Sequence, residues 1–278
     1  MVQKNLIYDV GMHKGNDTDY YLKKGFKVIA FEADPQLILF CKDRFRDEIN
    51  SGQLIIVEGA IVDPALATEK KEKVRFFENK GNSEWGTVCQ NWVDRNERSG
   101  KPSCMIEVPV TDFAACLNRY GIPYYLKIDI EGMDILCLKA LLLFRERPDF
   151  VSLESNKVDF RKLKEEFNLL CELGYNSFQA VNQAKIPNSK EPLDTKEGRF
   201  VGYVFPIASS GAFGKDLPIS GWMKRKKILL IYRWIFLKYK FWGPDDRYAR
   251  WHKNLFGKIY YRILGFGWYD THARRCDR

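Results

Sequence analysis

No apolar run in this 278-residue chain reaches the roughly 18 residues that a membrane-spanning helix needs, so a soluble protein is expected. The seven cysteines, Cys41, Cys89, Cys104, Cys116, Cys137, Cys171 and Cys276, are odd in number, scattered, and form no CxxC pair. That excludes a closed disulfide framework and a zinc knuckle, and reduced thiols in a cytoplasm are the expectation. Histidine is scarce, with three residues. The opening MVQKNLIYDV lacks a basic leader, a long apolar stretch and a small-residue cleavage site, so export is not expected. Internal repeats and low-complexity tracts are also missing.

What is present is an ordinary globular composition, 45% hydrophobic, with a net charge of +9 that is unevenly spread. Residues 1–222 carry 30 Lys and Arg against 32 Asp and Glu, whereas residues 223–278 carry 15 against 4. The basic excess belongs to the tail. A general nucleic-acid binder would carry its basic face on the fold itself, so that class is disfavoured.

Pattern along the chain predicts an α/β protein. NLIYDV reads as a buried strand and DTDYYLKKG as a helix, with Asp17 as its cap and Gly25 as its stop. KVIAFEADP is a second strand. PQLILFCKDRFRDEI spaces Leu37, Phe40, Cys41, Phe45 and Ile49 as a helix, and LIIVEGAIVD is a third strand. This βαβαβ order implies parallel strands with right-handed crossovers. Residues 64–108 interrupt the rhythm as a hairpin or loop excursion. YYLKIDIEG (strand), GMDILCLKALLLF (helix), PDFVSLES (strand) and FRKLKEEFNLLCELG (helix) restore it, and NSFQAV and FVGYVFPI read as two last strands. The expectation is a doubly wound sheet of about seven strands over residues 1–207, followed by a basic, aromatic-rich extension over 208–278.

The stretch YDVGMHKGND follows the first strand and places Gly11 and Gly15 four apart between Asp9 and Asp17. Such a turn lets backbone approach a ligand, and Glu32, about 20 residues on, closes the second strand where a carboxylate can accept from ribose hydroxyls. The GxGxxG pattern fails because His13 stands two after Gly11, and no GxxxxGK[ST] occurs. With acids and no Arg nearby, the turn suits a ligand bearing an amino group and a sulfonium better than a pyrophosphate. S-adenosylmethionine has that description.

YDVGMHKGNDT, VIAFEADP and YLKIDIEGMDILCLKAL resemble the blocks of the FkbM-type methyltransferases, over about residues 5–207. The resemblance implies a Rossmann-like class I methyltransferase fold, a seven-stranded, mostly parallel sheet with a reversed last strand. It also implies O-methylation of a hydroxyl on a sugar, glycan or related small metabolite. Carried over, Asp9, Gly11 and Gly15, with His13 and Thr18 of the same turn, would hold the methionine end of the cofactor. Glu32 would hold the ribose, and Ala33 and Ala60 would lie by the adenine. His13 stands where many members carry Asn. The tail words SSGAFGKDL and YDTHA resemble the ends of some members.

Methyl transfer from a sulfonium is an in-line displacement, so the enzyme must align a nucleophile and take its proton. Asp129 and Glu131 follow the fourth strand, alternation puts Lys127 on the same side, and Glu154 ends the fifth strand. Asp129 is a general base or shares the cofactor pocket; alternatively Asp129, Glu131 and Glu154 hold a magnesium ion. Glu131 as a helix cap, neutralised by Lys127, is the plainer reading. His272, with Asp270, is either a base or a structural tail contact, and His252 reads as a surface residue.

The run MKRKKILLIYRWIFLKYKFW is a basic amphipathic helix, packed on the domain or laid on an anionic membrane surface. Three functions therefore compete: the O-methyltransferase, a non-catalytic adaptor that binds membrane or protein through the tail, and a nucleic-acid methyltransferase. The last is weakest, because no Asn/Asp-Pro-Pro-Tyr motif is present.

Overall fold

A computed structural model describes residues 1–63, 72–79, 86–88, 103–130, 132–155, 159–242 and 268–276. Strands β1 (Gln3–Val10), β2 (Lys27–Glu32) and β3 (Leu54–Glu58) alternate with helices α1 (Asn16–Lys23), α2 (Pro35–Arg44) and α3 (Arg46–Asn50). A short β4 (Ala60–Ile61), then β5 (Lys73–Asn79) and β6 (Ser103–Thr111), form a three-stranded side sheet in the order β4-β6-β5. The main body continues with α4 (Phe113–Tyr120), β7 (Pro123–Ile128), α5 (Asp134–Leu141), β8 (Phe150–Glu154), α6 (Phe160–Glu172) and β9 (Ser177–Asn182), and the last elements are α7 (Arg225–Trp242) and β10 (Tyr269–Arg274).

The seven-stranded sheet has the order β3-β2-β1-β7-β8-β10-β9. Strands β1, β2, β3, β7 and β8 pair in parallel, and β10 runs antiparallel to both β8 and β9. The reversed strand is thus drawn from the tail. FVGYVFPI, expected as a strand, forms only one isolated bridge, Lys190 with Val204. The YDTHAR segment takes the place in the sheet, because its Thr271 and Ala273 side chains are buried while hydrogen bonding serves both neighbours.

Local chemistry sets the element ends. Asp34 accepts from the Gln36 and Leu37 amides, and Pro35 starts α2, where its missing N–H costs nothing. Helix α1 is capped by Gly15, not by Asp17, whose side chain is turned inward. On α2 the buried residues are Leu37, Ile38 and Cys41, and Phe40 is 50% exposed, so the apolar face is rotated from the expected spacing. The predicted single helix breaks at Phe45, whose ring packs under Gly15.

Each face of the sheet has its own core. One is covered by α4–α7, through Leu117, Leu138, Leu163, Phe167, Tyr232 and Ile235. The other is covered by α1, α2 and the irregular segment 199–222, in which Phe213 is fully buried and stacks on Tyr125 at 4.7 Å. That segment is also tied electrostatically. Lys24 is buried with its Nζ 2.5 Å from Glu191, 2.6 Å from the Thr195 hydroxyl and 3.4 Å from Asp216.

The boundary at residue 207 therefore divides the sheet and both of its cores. A chain truncated after Ile207 loses β10, Phe213 and Asp216, and leaves Lys24 buried without Asp216. We expect no cooperative thermal unfolding by circular dichroism for that chain, against a single transition for the full chain; a cooperative melt of residues 1–207 would contradict this.

Candidate active site

Strand registers align one side-chain row across the sheet: Asp9 lies beside Lys127, Lys127 beside Ser152, Ser152 beside His272 and His272 beside Gln179. Two residues further along, on the same face, the strand ends carry Glu32, Asp129, Glu154 and Asp270; Glu154 and Asp270 are direct partners. The deeper row is buried structure and the outer row is a carboxylate rim.

Lys127 organises the deeper row. Its Nζ is 3.1 Å from Asp9, 3.0 Å from the Gly11 carbonyl, 3.6 Å from Asp17 and 3.9 Å from Asp129. Burial alone would favour the neutral amine, but Asp9, Asp17 and Asp129 hold its pKa well above the usual lysine range. Asp9 is fully buried, and its second oxygen accepts from Thr18 Oγ1 at 2.6 Å. Burial pushes the Asp17 carboxyl up, Lys127 pulls against it, and Ser210 donates to it from both its amide and its hydroxyl, at 2.8 and 2.7 Å.

The turn itself is spent on internal bonds. The amides of Gly11 and Met12 both donate to the Phe31 carbonyl, and Gly11, His13 and Gly15 all have positive φ. A Cβ at Gly11 would stand 1.9 Å from the Asp129 carbonyl oxygen, and one at Gly15 would stand 2.4 Å from the Phe45 ring. Glycine is required at both positions by the protein's own packing.

These contacts place the expected site residues. Asp9 and Thr18 are fully buried and bonded to Lys127 and to each other, and Gly15 faces Phe45. Lys127 is an anchor, because its ammonium is enclosed by acids. His272 lies in the middle of β10, 2% exposed, and burial holds its pKa down to about 3. An imidazole so hard to protonate is a poor base, and its Nε2 has no partner among the described residues. Glu131 and His252 lie outside the described residues. Among those described, no group of three His, Cys, Asp or Glu side chains is placed to hold a metal ion. Of the three residues expected to hold magnesium, Asp129 and Glu154 are described and Glu131 is not.

The rim keeps what the row below gives up. Glu32 accepts from the His13 amide at 2.8 Å, the Ala33 amide at 2.8 Å and the Asp34 amide at 3.0 Å. Burial nevertheless lifts its pKa to about 7. Ala33 and Ala60 meet in one small apolar cluster with Val62, Phe76 and Val108, next to Glu32. Burial of the His13 ring, with Lys14 and Lys127 nearby, lowers its pKa to about 4, so the turn carries a neutral imidazole.

Asp129 is the open member of the rim, with its side chain 46% exposed. The protein around it lifts its pKa to about 7: desolvation first, with Lys127 opposing and Glu154, Asp134 and Asp17 adding. Asp270, which sequence reasoning noticed only as a companion of His272, is buried and held well above the usual carboxylate range by desolvation, Asp129 and Glu154. Asp17 and Ser210 were not legible as partners, being separated by 193 residues.

The profile of the Methyltransferase FkbM domain matches residues 9–177. No curated protein matches the chain at a significant level. Among solved structures it is similar to a methyltransferase FkbM from Methylobacillus flagellatus KT, at 14% identity and a TM-score of 0.39, covering 64% of this chain and 40% of that one. It is also similar to a SAM dependent methyltransferase from Archaeoglobus fulgidus, at 10% identity and a TM-score of 0.38, covering 98% and 87%. A precorrin-6y C5,15-methyltransferase from Geobacter metallireducens GS-15 is similar at 13% identity and a TM-score of 0.36, covering 72% and 76%.

The buried histidine generates a prediction. Its pKa is about 6.5 unfolded and about 3 folded, so the stability it contributes is complete above 6.5 and is lost as pH falls toward 3. The raised carboxylates of the rim act oppositely, stabilising the fold at low pH, so a difference between variants isolates the histidine. The melting temperature of His272→Gln should fall less steeply than that of the unaltered protein as pH drops through this window; parallel curves would refute a buried neutral imidazole.

Proposed function

The chain belongs to the FkbM family of methyltransferases, and from that premise we propose that it transfers a methyl group from S-adenosylmethionine to a hydroxyl of a sugar, glycan or related small metabolite. The observation that carries this reading is the placement, on one rim of strand ends, of the amide-bound Glu32 carboxylate with the exposed Asp129 carboxylate.

The donor set fits the cofactor. Three amides occupy three of the roughly four lone-pair positions of Glu32. One remains for a ribose hydroxyl. The apolar surface of Ala33 and Ala60 adjoins that carboxylate and suits an adenine ring. When bound, S-adenosylmethionine supplies a methyl group on a sulfonium, open to in-line displacement.

The protein's share of the work is alignment and proton removal. Asp129 serves as the general base: its pKa near neutrality leaves enough carboxylate to accept a hydroxyl proton and enough basicity to hold it. Lys127, 3.9 Å away, stabilises the ionised form and fixes the strand end. Glu154 raises the basicity of Asp129 by repulsion, and Glu154 and Asp270, paired across β8 and β10, stand on the same rim to meet further hydroxyls of the substrate.

Two readouts test the reading. Titration calorimetry should show S-adenosylhomocysteine binding that strengthens as pH rises through about 7, where Glu32 ionises, and that weakens more than about tenfold in Glu32→Ala, as expected on losing a charge-assisted hydrogen bond. Absence of binding heat in the unaltered protein would remove the proposal. With an acceptor in hand and S-adenosylmethionine saturating at every pH, kcat/KM for the acceptor should rise with pH through about 7 and lose that limb in Asp129→Asn. A limb that persists in this variant would assign the base elsewhere.

A further inference from the structure

Helix α7 has two working faces. Ile228, Tyr232 and Ile235 are buried in the core. Their rotation is fixed by the Tyr232 hydroxyl, which hydrogen-bonds the Ser155 hydroxyl at 2.8 Å and the Thr271 hydroxyl at 2.6 Å. With the helix pinned this way, the residues that turn to solvent are Lys226, Lys227, Leu230, Arg233, Trp234 and Leu237. They recur every three or four positions, as one stripe of a helix must.

The stripe is unlike an ordinary solvated helix face. Leu230 is 58% exposed, Trp234 65% and Leu237 47%. These three large apolar side chains, along about two turns, join none of the apolar clusters formed among the described residues. Cations lie between and beside them, and no acidic residue occurs anywhere in α7.

We infer that this face of α7 docks the protein on an anionic lipid bilayer. A bilayer rewards both halves of the stripe at once: Leu230, Trp234 and Leu237 enter the headgroup boundary while Lys226, Lys227 and Arg233 meet the negative surface. Tryptophan is the residue type that favours this depth. A nucleic acid would reward the cations but leave Leu230 and Leu237 exposed to water. The surrounding segment 223–278 agrees in sign, with 15 basic against 4 acidic residues. No described helix is long and apolar enough to cross a membrane, so the attachment is peripheral.

Docking there also presents the site. Tyr232 grips Ser155 and Thr271, the immediate chain neighbours of Glu154 and Asp270. The later half of α7, with Trp234 and Leu237, therefore lies toward the rim end of the sheet. Phe236, on the same turn, packs on Phe160 at the start of α6, also at that end. This inference does not depend on the proposed reaction.

Full-length protein should co-sediment with vesicles of phosphatidylcholine mixed with phosphatidylglycerol, and far less with phosphatidylcholine alone. Two exposed-face variants, Leu230→Ser/Trp234→Ser and Lys226→Glu/Lys227→Glu/Arg233→Glu, should each lower the partition about tenfold or more while leaving the melting temperature unchanged. Added salt should weaken vesicle binding of the unaltered protein, a measurement that needs no variant. Failure to sediment with the anionic vesicles would overturn the inference. So would sedimentation that is insensitive to salt and to both variants, or retention on RNA that the charge variant abolishes and the apolar variant leaves intact.

Discussion

Lys127 sits beneath the first turn of the sheet with its ammonium 3.1 Å from Asp9 and 3.0 Å from the Gly11 carbonyl, and the placement of most other features depends on it. A buried ammonium needs paired carboxylates. Asp9 from β1 and Asp17 from α1 provide them, so strand, turn and helix are joined at one charge. The Gly11 carbonyl is drawn to the same ammonium, which sets the bend of the turn. Gly11 then lies against the Asp129 carbonyl so closely that no side chain fits, and Asp129 is fixed at the mouth of the site.

The cluster reaches beyond the strands. Ser210 donates twice to Asp17, which ties the irregular segment after residue 199 to the first helix. The same segment supplies Phe213 to the aromatic core and Asp216 to Lys24. Glu32, Asp129 and Asp270 sit on this scaffold with pKa values raised first by desolvation, and at Asp129 and Asp270 by neighbouring acids as well. The structure thus separates two sets of acids: an inner pair, Asp9 and Asp17, bound to Lys127, and an outer set at the mouth of the site.

The parallel core was legible because its strands are short apolar runs punctuated by Gly, Asp and Pro, and the helices keep a 3.6 period in α6, where Leu163, Phe167 and Leu170 are indeed buried. The reversed strand was not legible. YDTHAR carries no run of β-branched or apolar residues, and its Asp270 and His272 side chains are buried only because β8 and β9 close on both sides. FVGYVFPI looked more like a strand than it is, since alternation cannot report whether a neighbouring edge is free. Glu32 and Asp129 could be read from position at strand ends. Asp9 could not be told apart from them, because an internal ion pair and a ligand contact ask for the same residue type at the same place.

The central claim is that the Lys127–Asp9 pair is an interdependent buried unit on which the rim is built. A double-mutant cycle on thermodynamic stability tests it most directly, using Asp9→Asn, Lys127→Met and the combined variant. Each single change leaves a buried charge under-compensated and should cost about 3–5 kcal/mol. The combined variant should cost less than the sum of the two by at least about 2 kcal/mol. Costs that add to within about 0.5 kcal/mol would show that the two residues act independently, and would contradict the account.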